Sequence, residues 1–217
     1  MRTDNLKDKA YGMMKDKILR CEYAPGQPLE KAKLVEDIGV SFTPIREALN
    51  KLEHEGLVRF FPKRGVYVSE VTIASVVEIY EVRELLEPYF VEKFAGSIQK
   101  EKFEGLCLQL KKIEEEGCLD SHYSFDNELH NMFVSHSKNS YYKKFMEQIY
   151  EQNNRIRILS GRDSRERLRE SNEEHKKILE AILEKDYAGG ANAMKIHLCT
   201  SRDAALDAIS KNNNVFF

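Results

Sequence analysis

No proline occurs after Pro88, so the C-terminal stretch to Phe217 lacks the one residue that breaks a helix from within. Residues 71–217 as a whole show no strand-like alternation of apolar and polar residues, which leaves long amphipathic helices as their regular structure. Thr72 offers a capping hydroxyl to the first of them. Val76, Val77, Ile79, Tyr80, Leu85, Leu86, Tyr89, Phe90 and Phe94 form its broad apolar stripe, which ends at Gly96. Five more helices are predicted near 100–116, 120–137, 140–159, 164–186 and 188–210. Gly117, Ser137-Lys138-Asn139, Gly161 and Gly189-Gly190 punctuate them, and connections this short make successive helices antiparallel neighbours. The last residues, 212–217, are expected to fray or dock loosely.

Residues 1–70 have a different texture. They carry 13 basic and 11 acidic side chains and lean basic, whereas the remainder is acidic. Leu6, Ala10, Met13, Met14, Ile18 and Cys21 recur at helical spacing, predicting a helix over about 5–22, and Pro25-Gly26-Gln27-Pro28 breaks the chain. A second helix carries Leu34, Val35 and Ile38 and is closed by Gly39. After Val40-Ser41-Phe42, Thr43 is placed to cap a third helix with Pro44 in its first position. That helix buries Ile45, Ala48, Leu49 and Leu52, turns Arg46, Asn50, Lys51 and Glu53 outward, and ends at Gly56. Two β-rich runs, 57–61 and 66–68, flank the basic tip Pro62-Lys63-Arg64-Gly65.

Three helices and a basic-tipped hairpin outline a winged helix-turn-helix domain, whose third helix fits the major groove while the tip neutralises phosphates. Similar small domains also serve as protein-interaction modules. The whole chain has a formal charge of −2, so any nucleic-acid surface must be a local patch. No apolar stretch is long enough to span a membrane and the N-terminus has no signal-peptide pattern, which predicts a cytoplasmic protein. Cys21, Cys107, Cys118 and Cys199 show no paired spacing, and disulfides are not expected.

The run LVEDIGVSFTPIREALNKLEHEGLVRFFPKRGVYVSEVT, positions 34–72, resembles the GntR family of bacterial transcription regulators, with Gly39, Val40, Ser41, Thr43, Pro44, Arg46, Glu47, Ala48, Leu49, Leu52, Glu55, Gly56, Leu57, Arg64 and Gly65 in register. The resemblance implies a homodimer that inserts each third helix into one half of a pseudo-palindromic double-stranded operator. Ser41, Phe42, Thr43 and Arg46, with Lys63, Arg64 and Gly65 of the wing, would then face DNA. Phe42 stands where the family usually has a guanine-reading arginine, so the operator differs or Phe42 meets a thymine methyl or packs on the wing. Ala32 likewise replaces a base-contacting arginine of some relatives.

In the acidic part, Asp126 lies four residues before His130 and four after His122, so either histidine shares a helix face with it, a spacing that suits one metal ion. His175 and His197 sit among apolar residues and could face the core, where a histidine is more often a hydrogen-bonded core residue than a ligand. The segment also resembles the FCD ligand-binding domain of the FadR subfamily. By that resemblance Asp126 and His130 fit its DxxxH motif, while His175 and His197 supply the remaining ligands of a divalent ion such as zinc, nickel or manganese. Tyr80-Glu81-Val82-Arg83-Glu84-Leu85-Leu86-Glu87 fits a motif whose arginine, here Arg83, helps bind a small organic acid effector. The i,i+4 spacing of Arg83 and Glu87 equally permits an ion pair, and Asn172 is either an effector contact or a surface amide.

A catalytic metal would need a general base, for which Glu173 and Glu174 are the nearby candidates, and exposure of at least one is the simpler reading. No phosphate loop, nucleophile elbow or HExxH motif is present. The expectation is therefore a mainly α, non-enzymatic regulator: a winged helix-turn-helix over 1–69, then an all-α antiparallel bundle of six to seven helices over 70–217. It would sense a carboxylate at a metal, with a purely structural metal or a metal-dependent hydrolase as alternatives.

Overall fold

A computed structural model describes residues 2–116, 119–160 and 165–211; the punctuating Gly117 and Gly161, Cys118, and the tail 212–217 lie outside them. Among the described residues the chain is mainly helical. Its elements are α1 (Arg2–Leu19), α2 (Lys31–Ile38), α3 (Phe42–His54), β1 (Val58–Phe61), β2 (Gly65–Val68), α4 (Ile73–Phe94), α5 (Lys100–Glu116), α6 (Leu119–Ser135), α7 (Ser140–Leu159), α8 (Arg165–Leu183) and α9 (Tyr187–Lys211). A single 3-10 turn over Ala95–Ser97 follows α4. Among the described residues packing makes two units: 2–72 together with Asn154–Leu159, and Ile73–Asn153 together with 160–211.

The first unit is a winged helix-turn-helix. Ala10, Met14 and Ile18 of α1 pack against Leu34 and Ile38 of α2, Ile45, Ala48, Leu49 and Leu52 of α3, and Leu57, Val58 and Val68 around the hairpin. Gly39 closes α2 in the left-handed region, φ 70°, its N–H donating to the Val35 carbonyl at 3.0 Å, and so sets the turn into α3. Helix α3 starts two residues earlier than the sequence implies. Ser41, not Thr43, holds the N-cap position, and it makes no side-chain cap bond. Pro44 is tolerated at the third helical position because the first turn's N–H groups have no intrahelical partner to lose. In the hairpin Val58 pairs with Val68 and Phe61 with Gly65. The Pro25–Pro28 segment, which reads as a simple break, also joins the wing. Gly26 N–H donates to Val68 O, Val68 N–H to Gln27 O and Leu29 N–H to Val66 O, making a short third edge in which Pro28 has no N–H to satisfy. The end of α7 belongs to this unit too: Asn154 Nδ2 donates to the Leu19 carbonyl at 3.1 Å and the Arg155 guanidinium to the Ser69 carbonyl.

The second unit is a helical bundle in which α9 packs along α4 and α8, and α6 bridges α4 and α5. Phe90, Val91, Leu106, Phe125, Leu129, Phe133, Met146, Ile178, Leu179, Met194 and Leu198 fill its centre. Gly189 and Gly190 do not separate helices. Both lie inside α9, and the break falls at Lys185, φ 64°, with Asp186 Oδ1 accepting the Gly189 N–H at 2.8 Å as an N-cap. Gly190 is small because α9 runs close to its neighbours there; a Cβ would stand 3.1 Å from Ile182 Cγ1 and 3.4 Å from Val91 Cγ1. The stripe expected on α4 is split: Val76, Tyr80 and Phe90 are buried, Val77, Leu85 and Tyr89 are exposed, and the buried row includes Arg83 and Glu87.

Candidate metal centre and nucleic-acid interface

Helices α6, α8 and α9 each turn part of one polar group into the bundle. On α6 the i,i+4 spacing sets Asp126 and His130 on a common face, and α8 brings His175 and α9 brings His197 to meet them. One ligand atom from each of the four lies within 4.8 Å of every other. Nitrogen and oxygen ligands about 2.1 Å from a shared ion stand up to about 4.2 Å apart, so the four need close by only a few tenths of an ångström each to hold one. His175 is 0% exposed, His130 3% and His197 2%, so water does not satisfy these rings. His130 Nε2 and both His175 nitrogens have no hydrogen-bond partner, and Asp126 Oδ1 stands 3.4 Å from His175 Nε2 and 3.6 Å from His130 Nε2. Orphaned buried imidazole nitrogens are costly in a dry core and are what a divalent cation would satisfy. The residues present therefore fit a metal.

Around this group sit more polar partners than the sequence indicates. Arg83 and Glu87 of α4 form a buried ion pair, Nε to Oε1 at 2.6 Å, and the other Glu87 oxygen meets His130 Nδ1. The Tyr150 hydroxyl of α7 donates to the His130 carbonyl at 3.2 Å. His122 does not join the four; its Nδ1 lies 2.9 Å from the Asn172 Oδ1, and both side chains are buried. Asn172 is thus an interior amide near the site, not a surface one. Glu173 is exposed, and Glu174 is engaged on both oxygens by Arg167, each at 3.0 Å, while one of them also meets His197 Nδ1 at 2.7 Å. Neither glutamate stands as a base beside the four ligands.

The protonation states follow from these contacts. Burial pushes the His175 pKa down to about 4, and its neighbour His197 adds to the shift. Burial likewise lowers His197. Burial also opposes charge on His130, but Glu87 and Asp126 outweigh it and raise the value. Against the penalty of burial, His197 and Arg167 hold Glu174 down to about 2. Chelator-stripped protein should therefore lose stability as the pH falls from 6.5 towards 4, because the unfolded chain takes up protons that His175 refuses when folded. The His175 share is on the order of 3 kcal/mol. His130 acts oppositely: its contribution is complete below pH 6.5 and fades as the pH rises through its raised value. Denaturant unfolding across this range checks both, and His175→Asn should flatten part of the acid-side slope.

In the first unit Ser41, Thr43 and Arg46 are exposed along the start of α3, and Lys63, Arg64 and Gly65 are exposed at the wing tip. Lys63 and Gly65 take positive φ, 63° and 99°, which turns the tip sharply. Among the described residues neither Arg46, Lys63 nor Arg64 pairs with an acid through its side chain. Phe42 is half-buried against the core of its unit, with Lys31 Nζ 4.7 Å above its ring. No described helix is long and apolar enough to cross a membrane.

Residues 78–200 match the FCD domain family, and residues 6–68 match the family of bacterial regulatory proteins, gntR family. The HTH-type transcriptional regulator YdhC of Bacillus subtilis (strain 168) is 28% identical over 191 residues, which cover 86% of this chain and 85% of that protein. In fold the chain is similar to Escherichia coli McbR/YncC, with TM-score 0.76 and 21% identity over 93% of this chain and 97% of that one. It is also similar to a GntR transcriptional regulator of Rhodococcus sp. RHA1, with TM-score 0.73 and 19% identity over 95% and 98%.

Proposed function

The chain belongs to the GntR family of bacterial regulatory proteins, with an FCD domain after its winged helix-turn-helix, and from this premise we propose that a small carboxylate held at a divalent metal ion sets its affinity for an operator. It is a DNA-binding transcription regulator and not an enzyme. The observation that carries the finer reading is the meeting of Asp126, His130, His175 and His197 with three buried imidazole nitrogens unpartnered. Three imidazoles and one carboxylate suit zinc, nickel or manganese. When bound, such an ion supplies a Lewis-acidic position at which a carboxylate oxygen can be held. Asp126 offsets part of the ion's charge, Arg83 adds positive potential from behind His130, and the His122–Asn172 pair offers polar groups to the rest of the acid.

On the DNA side, Ser41 at the N-cap of α3 and Thr43 and Arg46 within it read base edges while Lys63, Arg64 and the Gly65 turn follow the phosphates. Phe42, drawn into the core and under Lys31, leaves base reading to its neighbours. In a homodimer the two copies of α3 address the halves of a pseudo-palindromic operator.

The Arg83–Glu87 pair favours a second reading, in which the metal is structural and no acid binds, because the guanidinium is already engaged by a carboxylate. One experiment separates the two. Purified protein is assayed for bound metal, then screened by thermal shift against small di- and tricarboxylates and sugar acids, and by titration of any hit against an operator selected from random DNA. About one divalent ion per chain, with stabilisation by an acid that also changes operator affinity, is the expected result. Metal with no acid response establishes the structural reading, and no metal after incubation with zinc, nickel and manganese overturns both.

A further inference from the structure

Two of the three clustered histidines are backed by the same device. Behind His130, Glu87 meets Nδ1 and is itself held by Arg83. Behind His197, Glu174 meets Nδ1 at 2.7 Å and is itself held by both terminal nitrogens of Arg167, one of which also reaches the Ser201 hydroxyl at 3.2 Å. An ionised carboxylate only accepts hydrogen bonds, so each Nδ1 must carry a proton, and in the neutral ring that a metal binds the lone pair is then on Nε2. Arg83 Nη2 also stands 3.4 Å from His130 Nδ1, but a guanidinium only donates and cannot share a nitrogen that is already donating to Glu87. His175 has no such backing: both of its nitrogens are unpartnered.

We propose that Arg167 and Glu174 are positioning residues for the metal centre, fixing His197 as an Nε2 ligand just as Arg83 and Glu87 fix His130. This rests on the metal reading above. The arrangement is economical in helix geometry. Glu174 directly precedes His175 on α8, so its side chain leaves the helix about 100° away from that ligand and reaches α9 instead. A single α8 segment thereby supplies one ligand and orients another. Arg167, seven residues earlier, lies two turns back on the same face as Glu174, and its planar fork matches the carboxylate on both oxygens. The bidentate grip limits rotation of the carboxylate, and therefore of the imidazole it holds.

The test has two readouts that do not depend on regulation. The first is the affinity for Zn²⁺ or Ni²⁺, measured by competition with a chromophoric chelator. Glu174→Gln, which keeps the shape and loses the charge, should weaken binding by about 10- to 100-fold, with the metal-free melting temperature within a few degrees of the parent. The second is the imidazole tautomer of His197 in metal-free protein at pH 8, read from nitrogen-15 correlation spectra. The parent should show the Nδ1–H form, and Glu174→Ala a mixture. If Glu174→Gln does not fold, Arg167→Lys loses the bidentate grip and should lower metal affinity in the same direction. Unchanged affinity together with an unchanged His197 tautomer would overturn the proposal. A parent that shows the Nδ1–H tautomer but binds no metal would instead sink the metal reading and leave the positioning role standing.

Discussion

Replacing Arg46 by alanine is expected to remove specific operator binding while leaving the helical bundle folded. Arg46 is exposed on α3, outside the face that buries Ile45, Ala48, Leu49 and Leu52, and among the described residues its side chain makes no ion pair that its loss would disturb. A long cation held out from a helix that fits the major groove is suited to bidentate contact with guanine, worth about 1–3 kcal/mol at each half-site. Two half-sites in a dimer make that about 2–6 kcal/mol, or roughly 30- to 20,000-fold in affinity. Gel shift or fluorescence anisotropy on the selected operator and on a scrambled one measures it. Near-equal residual binding to both sequences is the expected outcome, since phosphate contacts from Lys63 and Arg64 remain. Retention of full operator preference would show that α3 does not read bases through this residue.

The second large effect is expected at the metal. His175→Ala removes the most deeply buried of the four clustered side chains and should lower metal affinity by more than about 100-fold, beyond what loss of an outer partner causes. Metal-free DNA binding should be nearly unchanged, because His175 lies in the second unit and α3 in the first. The alanine variant also relieves a buried, unpartnered imidazole, so its metal-free form should not be strongly destabilised. Full metal occupancy in this variant would remove His175 from the ligand set.

Much of this architecture is legible in the sequence where local chemistry decides the outcome. The apolar spacing of Ile45, Ala48, Leu49 and Leu52 sets the inner face of α3, and Gly39 closes α2, because period and handedness act within a few residues. The four clustered side chains are named by motif resemblance; spacing alone leaves His122 and His130 equivalent relative to Asp126. Only the packing of α8 against this region separates them, by giving His122 an amide partner in Asn172. Other features depend on neighbours that are distant in sequence. Gly189 and Gly190 look like a helix break, yet a glycine inside a helix is also what permits close approach, and Ile182 and Val91 show that this is the need met at Gly190. The Pro25–Pro28 break gives no local sign that its backbone will pair with β2. The buried row of α4 is hardest to foresee. The i,i+4 spacing permits the Arg83–Glu87 ion pair but gives no sign that Glu87 also meets His130, and it is His130 and each other that let both charges stay inside.

The last turns of α7 bear on how regulators of this kind can be recombined. Asn154 and Arg155 cap carbonyls at Leu19, the last residue of α1, and at Ser69, just past the end of β2, so the DNA-binding unit is not one continuous stretch of chain. A chimera joined at Thr72 would inherit its α7 from the other parent, and those two carbonyls would meet whatever side chains that parent carries. Exchange of reading heads between such regulators is therefore constrained at positions about 80 residues beyond the junction, and a matched pair at 154 and 155 should decide which heads can be transplanted.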